Sequence, residues 1–312
     1  MIKSMLVAVA IGLSTLDTHA QFFSGELSYE KRIIAKSPTF DADSALDADL
    51  GTEMTYLITR HFYKSIYFKE GKEVYSYTYH DDAKRLYDEY VDKEYITYRD
   101  SRKGNTSMIR SRVYKDSIMM VAGHPCFMAE AIYENYILKT YYATDLKIDP
   151  ESYKGHEVGN WYNSIREVGG ALSLMSISEY ADHVEIQEVV KITPRALTST
   201  DFEMPSDKFI VASAAALDRR VQMQSPSLAT QACFQKKFEE APAGNEEVIS
   251  YVTFIVSDQG EVTHIAPYEE DEQGYYKIAV DIIASCGLEF NPGEIAGEPV
   301  SSLVYFPVSF GQ

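Results

Sequence analysis

Short stretches in which apolar and polar residues alternate recur from Phe23 to Ile192, the pattern of strands that bury one face. Phe23–Ile33, Phe62–Phe68, Val74–Tyr79, Met108–Tyr114, Leu138–Ala143, Ala171–Ser178 and Val184–Ile192 read as strands. Glu70-Gly71-Lys72 sits between the second and third of these and predicts a hairpin, and Tyr180–His183 predicts a turn between the last two. Phe40–Leu50 reads as an acidic loop. Tyr75, Tyr77 and Tyr79 recur at period two and therefore share one face of their strand. Ten of the 24 tyrosines lie between Tyr56 and Tyr98. Such a face suits a sheet side that is half wet, because the ring buries area while the hydroxyl finds a partner. Residues 21–193 are thus expected to form a curved, mostly antiparallel sheet.

The pattern changes further along. Pro194, Pro205 and Pro226 punctuate residues 194–227, a joint in which Phe209–Leu217 reads as a short helix or strand. From residue 228 to residue 312 the period alternates between helix and strand. Leu228–Glu240 and Gly274–Cys286 fit helices, the second with Ile278, Ala279, Ile282, Ile283 and Cys286 on one stripe and Gly287 as its stop. Glu247–Ser257 is a strand, Asp258-Gln259-Gly260 a tight turn, Glu261–Ala266 the returning arm, and Ser301–Phe310 a third strand. The order helix, hairpin, helix, strand makes a small unit with both helices on one sheet face. The fold class expected for the whole chain is α+β.

Residues 1–20 have the layout of a secretory signal peptide: Lys3 at the start, an apolar run from Met5 to Leu13, and a small residue, Ala20, at the cut. The reading is a protein secreted across the inner membrane into the periplasm or beyond. No later stretch is apolar enough to span a bilayer. The chain of 312 residues carries 29 Lys+Arg against 47 Asp+Glu, a formal charge of -18. A surface that acidic repels phosphate backbones, which argues against a nucleic-acid partner.

Candidate chemistry is sparse. Three cysteines are too few for a disulfide scaffold. Cys233 and Cys286 fall on the two C-terminal helices, where they either form a bridge or serve as small buried hydrophobes. His124 and Cys126 are two metal-ligand types with no second pair nearby, so no metal site is assigned. Asp41, Asp43, Asp47 and Asp49 lack the glycine and terminal glutamate of an EF-hand loop and read as a solvated cluster. Glu269 to Glu272 read the same way, with a favourable position ahead of the second helix. Trp161 beside Tyr162 is a core or rim aromatic, and Asn105-Thr106-Ser107 fits a glycosylation acceptor. G-x-S-x-G, H-E-x-x-H, Walker A and G-x-G-x-x-G patterns are absent. No catalytic residue and no cofactor is expected.

Two resemblances add to this. Val252-Thr253-Phe254-Ile255-Val256, Asp258-Gln259-Gly260-Glu261-Val262, Phe290-Asn291-Pro292-Gly293, Gly297-Glu298-Pro299-Val300 and Phe306-Pro307-Val308-Ser309-Phe310 occur in the order and spacing of the TonB C-terminal domain family, which residues 228–312 resemble. The resemblance implies an envelope module that takes up an extended segment of an envelope or outer-membrane protein, in connection with outer-membrane transport. It points to Leu303, Val304, Tyr305, Phe306 and Val308 as the docking strand. Energy-transducing members have an uncleaved anchor and a long proline-rich spacer, neither of which is present here. Gly25-Glu26-Leu27-Ser28-Tyr29, the stretch Val121-Ala122-Gly123-His124-Pro125-Cys126, and Tyr141-Tyr142-Ala143-Thr144-Asp145-Leu146 make the first region similar to lipoprotein-carrier-like half-barrel families. That resemblance implies a sheet that wraps a helix and holds a lipid or other apolar ligand.

Two functional readings follow. The first is a non-enzymatic envelope protein that captures a partner segment by strand addition at its C-terminal module. The second is a periplasmic carrier with an apolar ligand against the aromatic strands Phe62–Tyr79.

Overall fold

The computed structural model describes residues 22–48, 50–104, 107–242 and 247–311. The signal-peptide segment 1–20 and the acceptor residues 105–106 lie outside the described residues. The first half runs β1 (Gly25–Ala35), α1 (Ala42–Ala48), β2 (Glu53–Ile58), β3 (Phe62–Lys69), β4 (Lys72–His80), β5 (Arg85–Tyr90), β6 (Tyr95–Asp100), β7 (Arg110–Val121), β8 (His124–Ile132), β9 (Ile137–Lys147), α2 (Trp161–Glu167), β10 (Ala171–Glu179) and β11 (His183–Pro194). Then follow β12 (Phe209–Ala212), β13 (Gln222–Met223), α3 (Leu228–Glu239), β14 (Val248–Val256), β15 (Val262–Pro267), α4 (Tyr275–Ser285), β16 (Phe290–Asn291), β17 (Gly293–Ile295), β18 (Glu298–Val300) and β19 (Ser302–Phe310).

Two antiparallel meanders, β1 to β6 and β7 to β11, are joined where β1 pairs with β11 over Gly25↔Pro194 to Ala35↔His183. The expected hairpin is present: Glu70 and Gly71 both take positive φ, the conformation a two-residue turn between twisted strands demands. α1 forms where an acidic loop was expected, between Asp41 and the stretch leading into β2. β12 then pairs in parallel with β6 and touches β19, so the two regions read from the sequence share one open, curved sheet of 15 strands.

Alternation gives this sheet two faces, each with its own cover. Residues 148–170, between β9 and β10, fold back over the face that carries Leu27, Ile58, Tyr63, Tyr79 and Leu174. They add Ile148, Tyr153 and Ile165 to that core. The Tyr153 hydroxyl donates to the Thr59 carbonyl, which ties this cover to the β2–β3 turn. Residues 195–208 and 213–218, on either side of β12, cover the opposite face of β3 to β6. Phe202 is fully buried with its ring 5.4 Å from that of Phe62, and Lys208 meets Glu89 at 3.2 Å.

At the C-terminal end, α3 and α4 lie on one face of the order β15-β14-β19. Phe254, Val256, Ala279, Ile282, Val308 and Phe310 form the core between these layers. Asp271 caps α4 by accepting from the Tyr275 and Tyr276 N–H groups at 3.0 and 2.8 Å. A small cluster of Val211, Ile255 and Leu303, with Tyr95 against it, fills the seam between the two halves.

Candidate functional site

Backbone direction decides what β19 offers. It pairs with β14 from Val248↔Phe310 to Val256↔Ser302, but with β12 at the single position Ala212↔Ser302. The Ala212 N–H donates to the Ser301 carbonyl at 2.9 Å, so Ser301 directs its backbone toward β12. Residues of the same parity (Leu303, Tyr305, Pro307 and Ser309) therefore direct theirs to the same side, beyond the end of β12. β19 is interior in the strand order, yet this part of its edge has no strand against it among the described residues. Pro307 has no N–H to offer, a feature proteins use to blunt an edge.

The same alternation divides the five residues expected to dock a partner. Val304, Phe306 and Val308 face α3 and α4 and belong to the module's core. Leu303 is buried against Val211 and Ile255 on the other face. Tyr305, on that face too, remains 54% exposed. It borders a cleft of about 280 Å³ whose one wall is Asp88, Tyr90, Lys93, Tyr95 and Thr97 and whose other is Thr253, Pro267, Tyr268, Leu303 and Tyr305. Burial, then the nearby Tyr268, Tyr90 and Asp88, push the Tyr305 hydroxyl above its ordinary pKa, so it stays a neutral donor and acceptor. Asp88 is held by the Tyr75 hydroxyl at 2.5 Å and by Arg99 at 2.6 Å.

The aromatic strands Phe62–Tyr79 do not line a ligand cavity throughout. Tyr63 and Tyr79 are buried under Tyr153, His156 and Trp161, with His156 stacked 4.2 Å from Tyr79 and Trp161 5.0 Å from Tyr63. This end of the face is a filled core. The larger opening lies elsewhere, at the ends of β1, β9 and β11. It is a cavity of about 620 Å³ with Phe22, Phe23, Leu146, Pro194 and Leu197 among its walls and Asp145, Lys147 and Arg195 beside them. No signal in the alternation marked it, because its walls are strand ends and the first residues after β11.

Cys233 and Cys286 are joined as a disulfide between α3 and the residue after α4, with Cα atoms 5.5 Å apart. Cys126 is buried, and burial pushes its thiol up to about 11. Its neighbour in sequence, His124, pairs with Asp145 at 2.9 Å. Asp41 accepts from the Ser44 N–H at 3.0 Å at the start of α1; Asp49 lies outside the described residues. Among the described residues, no three His, Cys, Asp or Glu side chains group so as to hold a metal ion, and no helix is long and apolar enough to cross a membrane.

No family model and no curated protein matches the chain. Distant likenesses exist among solved structures. PNGF-II aligns at 9% identity and a TM-score of 0.38 over 76% of this chain and 44% of its own, so this chain spans less than half of that protein. A LolA-superfamily protein of Nitrosomonas europaea aligns at 8% identity and 0.28 over 58% of this chain and 90% of its own. MucA/MucB from Pseudomonas aeruginosa aligns at 9% identity and 0.31 over 91% of this chain and 89% of the other.

Proposed function

We propose that the protein is a non-enzymatic binding protein of the bacterial envelope that carries a lipid or similar amphipathic ligand in its N-terminal half. The observation that supports this is the cavity of about 620 Å³ where Phe22, Phe23, Leu146 and Leu197 meet Lys147 and Arg195. Its volume falls in the range of small-molecule sites, and apolar walls beside charged groups suit a chain with a polar head. The ligand sits at the mouth of the half-barrel instead of against Tyr63 and Tyr79, since residues 148–170 fill that end of the interior. The similarity to lipoprotein-carrier-like families implies the same ligand class. Mass spectrometry of protein purified from envelope should find a co-purifying lipid, and Leu197→Asp should abolish it. Lipid-free wild-type protein, or equal loading of the variant, would overturn the reading.

A second reading is favoured by the open part of the β19 edge. There the C-terminal module, which resembles the TonB C-terminal domain, takes an extended partner segment alongside residues 303–309. The backbone parity names the test. Tyr305→Pro removes an N–H on the open side and spares the β14 ladder. It should weaken capture of an envelope-protein segment in pull-downs without changing thermal stability. Undiminished capture would sink this reading.

A further inference from the structure

Apart from the lipid cavity, the sheet face that carries the tyrosines has a part that residues 148–170 leave uncovered. Register places Tyr67 of β3, Tyr75 of β4 and Tyr90 of β5 side by side there, with ring centroids 5.7 Å and 4.7 Å apart. At the Tyr67 end is a cleft of about 230 Å³, walled in part by Met54, Ser176, Ser178 and Gln187. At the Tyr90 end is the cleft of about 280 Å³ with Thr97, Thr253 and Tyr268 on its walls. The buried middle ring, Tyr75, thus joins two openings on one face into a row that crosses the strands.

We propose that this row binds a neutral oligosaccharide. Most of its charges are paired within the protein: Lys31 with Glu185 at 3.2 Å, Arg99 with Asp88 at 2.6 Å, and Lys93 with Asp92 at 3.3 Å, while Glu53 on the wall of the smaller cleft is exposed. The pairs cancel one another and leave Glu53 as the excess charge, which together with the chain's -18 repels anions and polyanions. The backbone groups of β3, β4 and β5 are spent on the ladders between them. An extended peptide laid across this face would find no main-chain partners, and its own N–H and C=O groups would lose water without compensation. A sugar needs none. Its C–H faces pack on flat rings, and its hydroxyls bond to the Ser, Thr, Gln and Tyr side chains along both walls.

Titration calorimetry tests this with maltohexaose, cellohexaose and chitohexaose, their trisaccharides, and decaproline. At least one hexasaccharide should bind, and at least 10-fold tighter than its trisaccharide, which fills one cleft. Tyr90→Ala and Tyr268→Ala alter residues 43% and 55% exposed and should each weaken binding at least 10-fold with the fold intact by circular dichroism. Leu197→Asp should leave sugar binding unchanged, which separates this site from the lipid cavity. Absence of binding by all three hexasaccharides, undiminished binding by both tyrosine variants, or binding of decaproline in their place would overturn the proposal.

Discussion

His156 lies flat against Tyr79, their ring centroids 4.2 Å apart and their planes 5° from parallel, and its Nε2 sits 2.5 Å from the Tyr63 hydroxyl. This pair marks where residues 148–170 lock onto the sheet. Burial, the largest influence, depresses the imidazole to about 4 from its ordinary 6.5.

That depression makes the lock sensitive to acid. Above pH 6.5 the ring is neutral in both folded and unfolded chains, and its contribution is fully present. As pH falls toward 4 the unfolded chain takes up a proton that the folded one refuses, so stability drops, by roughly 3 kcal/mol for the full shift. Urea denaturation at pH 7 and pH 4.5 should show the loss, and His156→Gln should remove most of the difference between the two.

The disulfide should matter more than the packing of α3 suggests. Leu228 is 85% exposed, and α3 meets the module core through Phe234 and through Phe238, whose ring lies 5.5 Å from that of Phe310. Cys233 and Cys286 close a loop with a sequence separation of 53, for which chain entropy gives about 4 kcal/mol. Reduction, or a double change to Ser, should lower the thermal midpoint and raise amide exchange in α3 before that in β14. Unchanged exchange in α3 would contradict this account.

Side chains on the two faces of the C-terminal sheet should respond oppositely. Phe254 is fully buried between the helices and the sheet, and Phe254→Ala should cost roughly 3–5 kcal/mol. Tyr305→Ala on the opposite face should change stability by under about 0.5 kcal/mol. Guanidinium denaturation of both variants checks the contrast.

Gly170 has φ +78, and a Cβ there would stand 2.2 Å from the Ile148 carbonyl oxygen. The backbone at this point pairs with Ile148, which closes the loop that carries the cover back to β10. Gly170→Ala should therefore destabilise by roughly 1–3 kcal/mol, read by urea denaturation.

Much of this architecture was legible in the alternation. The β3–β4 hairpin, β10 and β11 with their turn, and the helix–hairpin–helix–strand order of the last 85 residues stand close to where their patterns place them. Other strands left no such signal. Asp88 and Glu89 lie on β5 because Arg99 and Lys208 compensate them from other segments, and such partners are invisible in a local window. α2 is one short helix whose Ile165 is buried by a sheet the sequence does not place near it. The candidate sites were less legible than the fold. Tyr305 and Leu303 were named with Val304, Phe306 and Val308, but only the pairing with β14 and β12 tells which of the five face the helices. Likewise the tyrosine count announced a half-wet face, while the row from Tyr67 to Tyr90 depends on register between strands.

β12 is four residues long, yet it is the strand through which the two halves are hydrogen-bonded into one sheet, by pairs from Phe209↔Tyr95 to Ala212↔Tyr98 and one to Ser302. A pull on the C-terminal strand along its axis would meet that seam before it reached any of the longer ladders. The halves would part there as two intact bodies, so whatever load this molecule bears is limited by a stitch far smaller than either piece of cloth.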